Sequence, residues 1–261
     1  MTERKIDFMK TDLFHIGKFV IHGYGLMIGI GFVLALLVGE YRAKKMGMKE
    51  EALIDIAIIA GVSGFLGAKL LYIIVSFKDF IKDPIGVLGS SGFVVYGGLI
   101  AGVLCNLIYV KIKKLSFLEY FDLVMPEIAL AQGFGRIGCF LAGCCYGKET
   151  DSILAITFHE SEFAPNNVPL IPTEIYSSLL DFVHFGVLLF IAGRKKKDGQ
   201  VAACYLLFYS IGRFILEFFR GDLIRGSVGV LSTSQFISLF IGVAGILILI
   251  LRSRENPGRH S

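Results

Sequence analysis

The sequence predicts an all-α, polytopic integral membrane protein with about seven transmembrane helices, and three observations carry that prediction. Hydrophobic residues make up 54% of the chain, and the mean hydropathy is +0.69. Charged residues reach only 18% and are bunched into short clusters. The apolar runs between those clusters are each near the ~20 residues that cross a hydrocarbon core. A soluble chain of 261 residues would spread more charge through its sequence.

Taken in order, the spans are expected at 22–41, 53–76, 92–110, 117–135, 174–193, 201–219 and 231–251. The fourth contains Glu119, Asp122 and Glu127, and the fifth contains Asp181 and His184. Alternate connections are basic. Arg42, Lys44, Lys45 and Lys49 follow the first span, and Lys111, Lys113 and Lys114 follow the third. Arg194 to Lys197 follow the fifth, and Arg252, Arg254 and Arg259 follow the seventh. Basic loops stay in the cytoplasm, so the N-terminus is expected outside and the C-terminus inside. The tail residues Arg4, Lys5, Lys10 and Lys18 dissent, but four concordant loops outweigh one mixed-charge tail. Residues 136–173, with Pro165, Pro169 and Pro172, are too polar to span and are expected to form a small extracytoplasmic cap on a single transmembrane domain, 1–261.

Several function classes fall away at this stage. The net charge of +4 is small and dispersed, so no nucleic-acid partner is expected. Residues 1–18 lack an apolar stretch before the first span, so no cleavable signal peptide is expected. The chain has no P-loop and no H-E-x-x-H.

The orientation gives each in-membrane polar residue a depth. Tyr24 and Tyr96 open the first and third spans on the outer side, and Arg136 closes the fourth there. Lys69 lies about seven residues, or roughly 10 Å, below the outer surface, and Arg213 about six residues, or roughly 9 Å. Tyr209, Arg213, Glu217 and Arg220 follow 4-4-3 spacing and so share one helical face. Asp181 and His184, on span five, sit closer to the middle. Ionisable groups in a bilayer cost at least ~2.5 kcal/mol each unless they are paired or wet. Arg213 can pair with Glu217, leaving Arg136, Arg220 and Lys69 as surplus positive charge at headgroup depth. Basic side chains near helix ends ordinarily snorkel to the interface, and tyrosines there ordinarily anchor the helix. Convergence of several such groups instead suits an anionic phosphate, which arginine engages bidentately.

The segment GRIGCFLAGCCYG (135–147) resembles the signature of the prolipoprotein diacylglyceryl transferases, G-R-x-G-N-F-x-N-x-E-x-x-G. Other pieces match in the same order. HGYGLM (22–27) is similar to the family's Y-G-L-M, GAKLLY (67–72) to G-x-R-x-x-Y, and YGGLIAG (96–102) to H-G-G-L-I-G. Asp122 and Pro126 stand at family-like distances before Arg136. PTEIY (172–176) resembles H-P-[ST]-Q-[LI]-Y-E, YSIGRFILEFFRGD (209–222) resembles a segment near the family's C-terminus, and STSQFISL (232–239) resembles S-x-G-Q-x-L-S. The resemblance spans nearly the whole chain, and the order of the pieces is its specific part.

The resemblance implies a multi-pass enzyme of the bacterial cytoplasmic membrane. Such enzymes move the sn-1,2-diacylglyceryl group of phosphatidylglycerol to the lipobox cysteine of a prolipoprotein signal peptide. A thioether forms and glycerol 1-phosphate leaves. It implies that Arg136 binds phosphatidylglycerol, with Gly138, Gly147, Tyr209 and Arg220 around the substrate. Arg213 is a second essential arginine, which Glu217 orients, and Tyr24 and Tyr96 complete the catalytic set. No metal or organic cofactor is implied.

The sequence also departs from the family. Tyr96 replaces a histidine, Lys69 an arginine, Cys139 and Ala142 two asparagines, and Cys144 a glutamate. A neutral tyrosine, with a pKa near 10, is a poor base for a thiol. Either Tyr96 positions the substrate while another group, such as His22, takes the proton, or the chain is a paralogue with altered chemistry. Cys139, Cys144 and Cys145 read first as small buried hydrophobes and second as a disulfide on the oxidising side. A zinc site comes last, because further ligands at set spacing are missing. Two other classes remain, a transporter and a non-catalytic lipid- or lipoprotein-binding protein with the same basic pocket. The outer bias of the polar groups disfavours the transporter.

Overall fold

The structure, a computed structural model, describes residues 12–16, 19–90, 92–222 and 226–254. Arg4, Lys5, Lys10, Lys18 and Arg259, all used to orient the chain, lie outside the described residues. The chain divides into two compact units, residues 39–120 and residues 1–38 with 121–261.

Strands β1 (Asp12–Ile16) and β2 (Phe19–His22) pair antiparallel and lead into helix α1 (Gly23–Lys45). The smaller unit then holds α2 (Glu50–Val75), the short helices α3 (Phe77–Lys82) and α4 (Pro84–Gly89), and α5 (Val95–Ile112). Asp83 starts α4 by accepting a hydrogen bond from the Gly86 amide at 2.9 Å, with Pro84 in the first turn. In lipid there is no hydrophobic driving force between helices, so close backbone approach has to hold α2 to α5. Small residues allow it: a Cβ on Gly97 would lie 2.3 Å from the Gly67 carbonyl oxygen, and one on Gly98 2.6 Å from that of Gly64. Much of the YGGLIAG segment is therefore helix-packing surface. Gly97→Val is expected to cost about 1–3 kcal/mol through overpacking and to lower the thermal unfolding midpoint of the detergent-solubilised protein.

The larger unit continues with α6 (Phe117–Ala142), which begins at the end of the smaller unit, then α7 (Thr173–Ala192), α8 (Gln200–Leu216) and α9 (Thr233–Arg254). A single 3₁₀ turn, Glu217–Phe219, extends α8. Two short ladders join the connections, β3 (Ile156–Thr157) with β4 (Pro169–Leu170) and β5 (Ser227–Val228) with β6 (Leu231–Ser232).

Among the described residues, six helices are long and apolar enough to cross a membrane: α1, α2, α5, α7, α8 (with its 3₁₀ turn) and α9. Most of their large apolar side chains face outward, as lipid-facing surfaces require. The molecule is an all-α polytopic membrane protein. Helix α6 occupies the position of the expected fourth span but differs in kind. Asp122, Leu123, Met125, Pro126, Glu127, Ala129 and Leu130 are all buried, so protein rather than lipid surrounds its charged half.

Asp122 explains how a carboxylate is accommodated there. It accepts hydrogen bonds from the Gly199 and Ala202 amides, both at 2.9 Å, and pairs with Lys195 at 3.0 Å. One buried side chain thus caps α8 and neutralises a cation. Asp122→Ala is expected to remove roughly 1–2 kcal/mol of stability, read as a lower unfolding midpoint.

One boundary is corrected. The cap begins at Gly143 rather than at residue 136, because α6 runs on through Ala142 and stops where Gly143 adopts φ +67°. Arg136 is therefore a residue of α6, not of the cap.

Candidate functional site

The C-terminal end of α6, the N-terminal end of α7 and the C-terminal end of α8 are tied together by the cap. Lys148 N–H donates to the Phe219 carbonyl at 2.9 Å, and Gly221 N–H to that of Tyr146 at 3.0 Å. Gly147 N–H donates to the Ile171 carbonyl at 3.1 Å. A side chain at Gly147 would place its Cβ 2.4 Å from the Ile171 carbonyl oxygen, so this glycine is what lets three backbone segments meet. Its contribution is to fix the mouth of the site.

Below this junction lies a cavity of about 240 Å³. Arg136 enters it from α6; Ser177, Asp181 and His184 from α7; and Tyr209 and Arg213 from α8. Leu180, Val183, Val187, Phe208 and Leu216 form the apolar remainder. An apolar pocket with a few convergent polar groups is the usual form of a small-molecule site.

The two arginines are held differently. Arg213 Nη2 pairs with Glu217 Oε2 at 2.7 Å and donates to Ser234 Oγ on α9 at 2.9 Å. Both members of the pair are largely enclosed, with side chains 12% and 10% exposed. Arg136 is partly buried and makes no hydrogen bond or contact ion pair among the described residues. Its guanidinium senses Asp181, Tyr209 and Cys139 through space only. A cation with a charged partner within electrostatic reach but none in contact is available to an anionic ligand.

Around the cavity, Tyr205 and Tyr209 stack with ring centroids 5.8 Å apart, and His184 stacks on Tyr205 at 5.1 Å. Tyr205 donates to Gln132 Oε1 at 3.0 Å. His184 is buried, and its Nε2 has no hydrogen-bond partner among the described residues.

The structure thus brings together Arg136, Tyr209, Arg213 and Glu217 of the expected set. Tyr24 and Gly138 adjoin them: a Cβ on Gly138 would lie 3.2 Å from the Tyr24 ring, and Tyr24 is within electrostatic reach of Arg136. Arg220 does not supply the surplus charge expected of it. It is buried and forms a bidentate pair with Asp222, its Nε donating to Oδ1 at 2.8 Å. Burial opposes its charge, but Asp222 and the neighbouring Cys145 outweigh that and hold its pKa above the usual arginine value. Lys69 is likewise engaged within its own unit. It donates to the Ser90 carbonyl at 2.7 Å and lies 4.9 Å from the Phe93 ring centre. Tyr96 opens α5 in the smaller unit, with 38% of its surface exposed.

The residues missed by sequence reasoning are Asp181 and His184, which were placed apart from the site by depth alone. Their spacing with Ser177, four and then three residues, puts all three on one face of α7. That pattern was the available signal.

The model of the family described as prolipoprotein diacylglyceryl transferase matches residues 11–251 of the chain. The chain is 48% identical over 242 residues to a protein from Clostridium tetani named phosphatidylglycerol–prolipoprotein diacylglyceryl transferase, covering 92% of this chain and 96% of that one. It is 46% identical over 255 residues to a second such protein, from Clostridium perfringens, with 96% and 99% covered. It is 34% identical to another from Clostridioides difficile, with 91% and 93% covered.

Proposed function

We propose that this chain, which belongs to the prolipoprotein diacylglyceryl transferase family, transfers the sn-1,2-diacylglyceryl group of phosphatidylglycerol to the lipobox cysteine thiol of a prolipoprotein. The products are a thioether and glycerol 1-phosphate. In this reading the chain lies in the bacterial cytoplasmic membrane with its N-terminus outside. The cavity opens in the outer half of the bilayer, where signal peptides and headgroups meet.

The observation that carries the reading is the pair of arginines at one cavity, one tied to Glu217 and one with no contact partner among the described residues. The thiolate attacks the glycerol carbon, the carbon–oxygen bond to phosphate breaks, and the leaving phosphate takes the electron pair. Negative charge on the phosphate therefore grows along the reaction. Fixed guanidinium groups stabilise that charge most in the transition state, which is where stabilisation accelerates. Arg136 binds the phosphate. Arg213 adds a second, oriented set of donors, and Tyr209 lines the wall between them.

The acceptor must arrive as a thiolate, since the neutral thiol is a weak nucleophile. Tyr24, beside Gly138 at the end of α6, is suited to contact the headgroup. Tyr96, a poor base for a thiol, is assigned no proton transfer.

A defined assay tests this. Purified protein, vesicles containing phosphatidylglycerol and a synthetic lipobox peptide should yield peptide heavier by one diacylglyceryl group and an equal amount of glycerol 1-phosphate. Glycerol 1-phosphate without modified peptide would make the chain a lipase. Neither product from folded protein would leave a lipid-binding paralogue.

A further inference from the structure

Cys139, Cys144 and Cys145 are spaced like no common metal motif, yet their sulfurs converge. All three Sγ atoms lie within 4.8 Å of one another. The chain builds this arrangement deliberately. Helix α6 ends three residues after Cys139, Gly143 turns the backbone at φ +67°, and Cys145 itself sits at φ +70°. A non-glycine residue in that left-handed region carries strain that its surroundings must hold. The Cys144 amide donates to the Cys139 carbonyl at 3.1 Å, and Thr173 Oγ1 donates to the Cys145 carbonyl at 2.9 Å.

A buried acid stands beside the cluster. Glu174, at the start of α7, is 1% exposed, and its Oε1 has no hydrogen-bond partner among the described residues. It lies within electrostatic reach of Cys145. Arg220, the nearby cation, pairs with Asp222 and also reaches the Cys145 sulfur and Glu174.

We propose that the three cysteines form a trigonal thiolate site for one zinc ion whose fourth position receives the acceptor thiol; the second half of this statement rests on the transferase reading above. Zinc–sulfur bonds of about 2.3 Å in a tetrahedral site put sulfurs about 3.8 Å apart, so side-chain adjustment of about 1 Å or less closes the site. Thiolates select zinc over hard cations. Three protein ligands with one open position is the form of a catalytic rather than a structural zinc. Bound zinc with three thiolates carries one net negative charge, which Arg136, within electrostatic reach of Cys139 and Cys145, offsets.

The site supplies what Tyr96 does not. A thiol that binds zinc is deprotonated outright. The acceptor thiol displaces the zinc-bound water and binds as the thiolate, its proton leaving to solvent. Its sulfur then bonds to the glycerol carbon while the carbon–oxygen bond breaks and the phosphate departs with the electron pair. The thioether product has no thiolate charge, so it dissociates and water returns.

Protein purified under reducing conditions, stripped with a chelator and titrated with cobalt(II) tests the site without reference to activity. The expected result is one cobalt per chain with thiolate-to-cobalt charge-transfer absorption, displaced by zinc. Cys139→Ser, Cys144→Ser and Cys145→Ser should each lower the affinity at least tenfold. Cys144→His, which keeps a ligand, should retain binding and shift the spectrum, and Cys105→Ser should change nothing. Absence of the absorption from folded wild-type protein overturns the site, as does a disulfide between any two of the three in protein thiol-trapped in cells. Metal binding without diacylglyceryl transfer keeps the site and sinks the transferase reading. Full transfer by metal-free protein keeps the transferase reading and overturns the role of the fourth position in receiving the acceptor thiol.

Discussion

Replacing Arg136 with alanine is expected to lower diacylglyceryl transfer by about 10²–10³-fold, the loss seen when one fixed donor to a developing anion is removed. The size follows from position. Arg136 lines the cavity from within α6, and no side chain among the described residues neutralises it in direct contact. Its removal therefore takes away stabilisation of the leaving phosphate without breaking a contact ion pair. The variant should insert and accumulate like the parent, because that guanidinium makes no hydrogen bond or contact ion pair among the described residues. Turnover by vesicle assay, normalised to protein in the membrane, checks it. A loss below fivefold in well-folded protein would move the phosphate site elsewhere.

Arg213→Lys is expected to cost roughly 10- to 100-fold even though the charge is kept. Arg213 already divides its donors between Glu217 Oε2 and Ser234 Oγ. Only the planar, five-donor guanidinium can hold both and still face the cavity. A lysine ammonium would be drawn to Glu217 and leave the phosphate uncontacted. The effect should fall on kcat more than on KM, because the lost contact strengthens as the phosphate leaves. Glu217→Gln should produce a smaller loss of the same kind, about tenfold, since glutamine still accepts a hydrogen bond but no longer fixes the charge. Steady-state rates at varied phosphatidylglycerol content separate the two parameters.

Much of this arrangement could be read from sequence, for definite reasons. Apolar runs bounded by basic clusters marked six spanning helices to within a few residues, because length and hydropathy dominate in a bilayer. The face joining Tyr209, Arg213 and Glu217 followed from spacing alone. The helical end of α6 did not. The polar stretch after residue 135 reads as a loop, whereas α6 continues and its glycines serve close packing: a Cβ at Gly133 would lie 2.6 Å from the Phe182 ring, and one at Gly138 would meet Tyr24.

Three other features depended on partners distant in sequence or in short irregular pieces. Asp122 looked like a family landmark, but its partners, Gly199, Ala202 and Lys195, are more than seventy residues away. Arg220 looked like spare charge because a partner two residues on, Asp222, is reached only when the chain bends after the 3₁₀ turn. The convergence of Cys139, Cys144 and Cys145 required the left-handed residues that follow α6. Local periodicity encodes none of these.

The most direct measurement is made in cells depleted of their own transferase and given this gene. The mass of an accumulating prolipoprotein should rise by one diacylglyceryl group with the wild-type gene and stay at the unmodified value with Arg136→Ala. Unmodified prolipoprotein in cells where the wild-type protein is inserted and abundant would contradict the account.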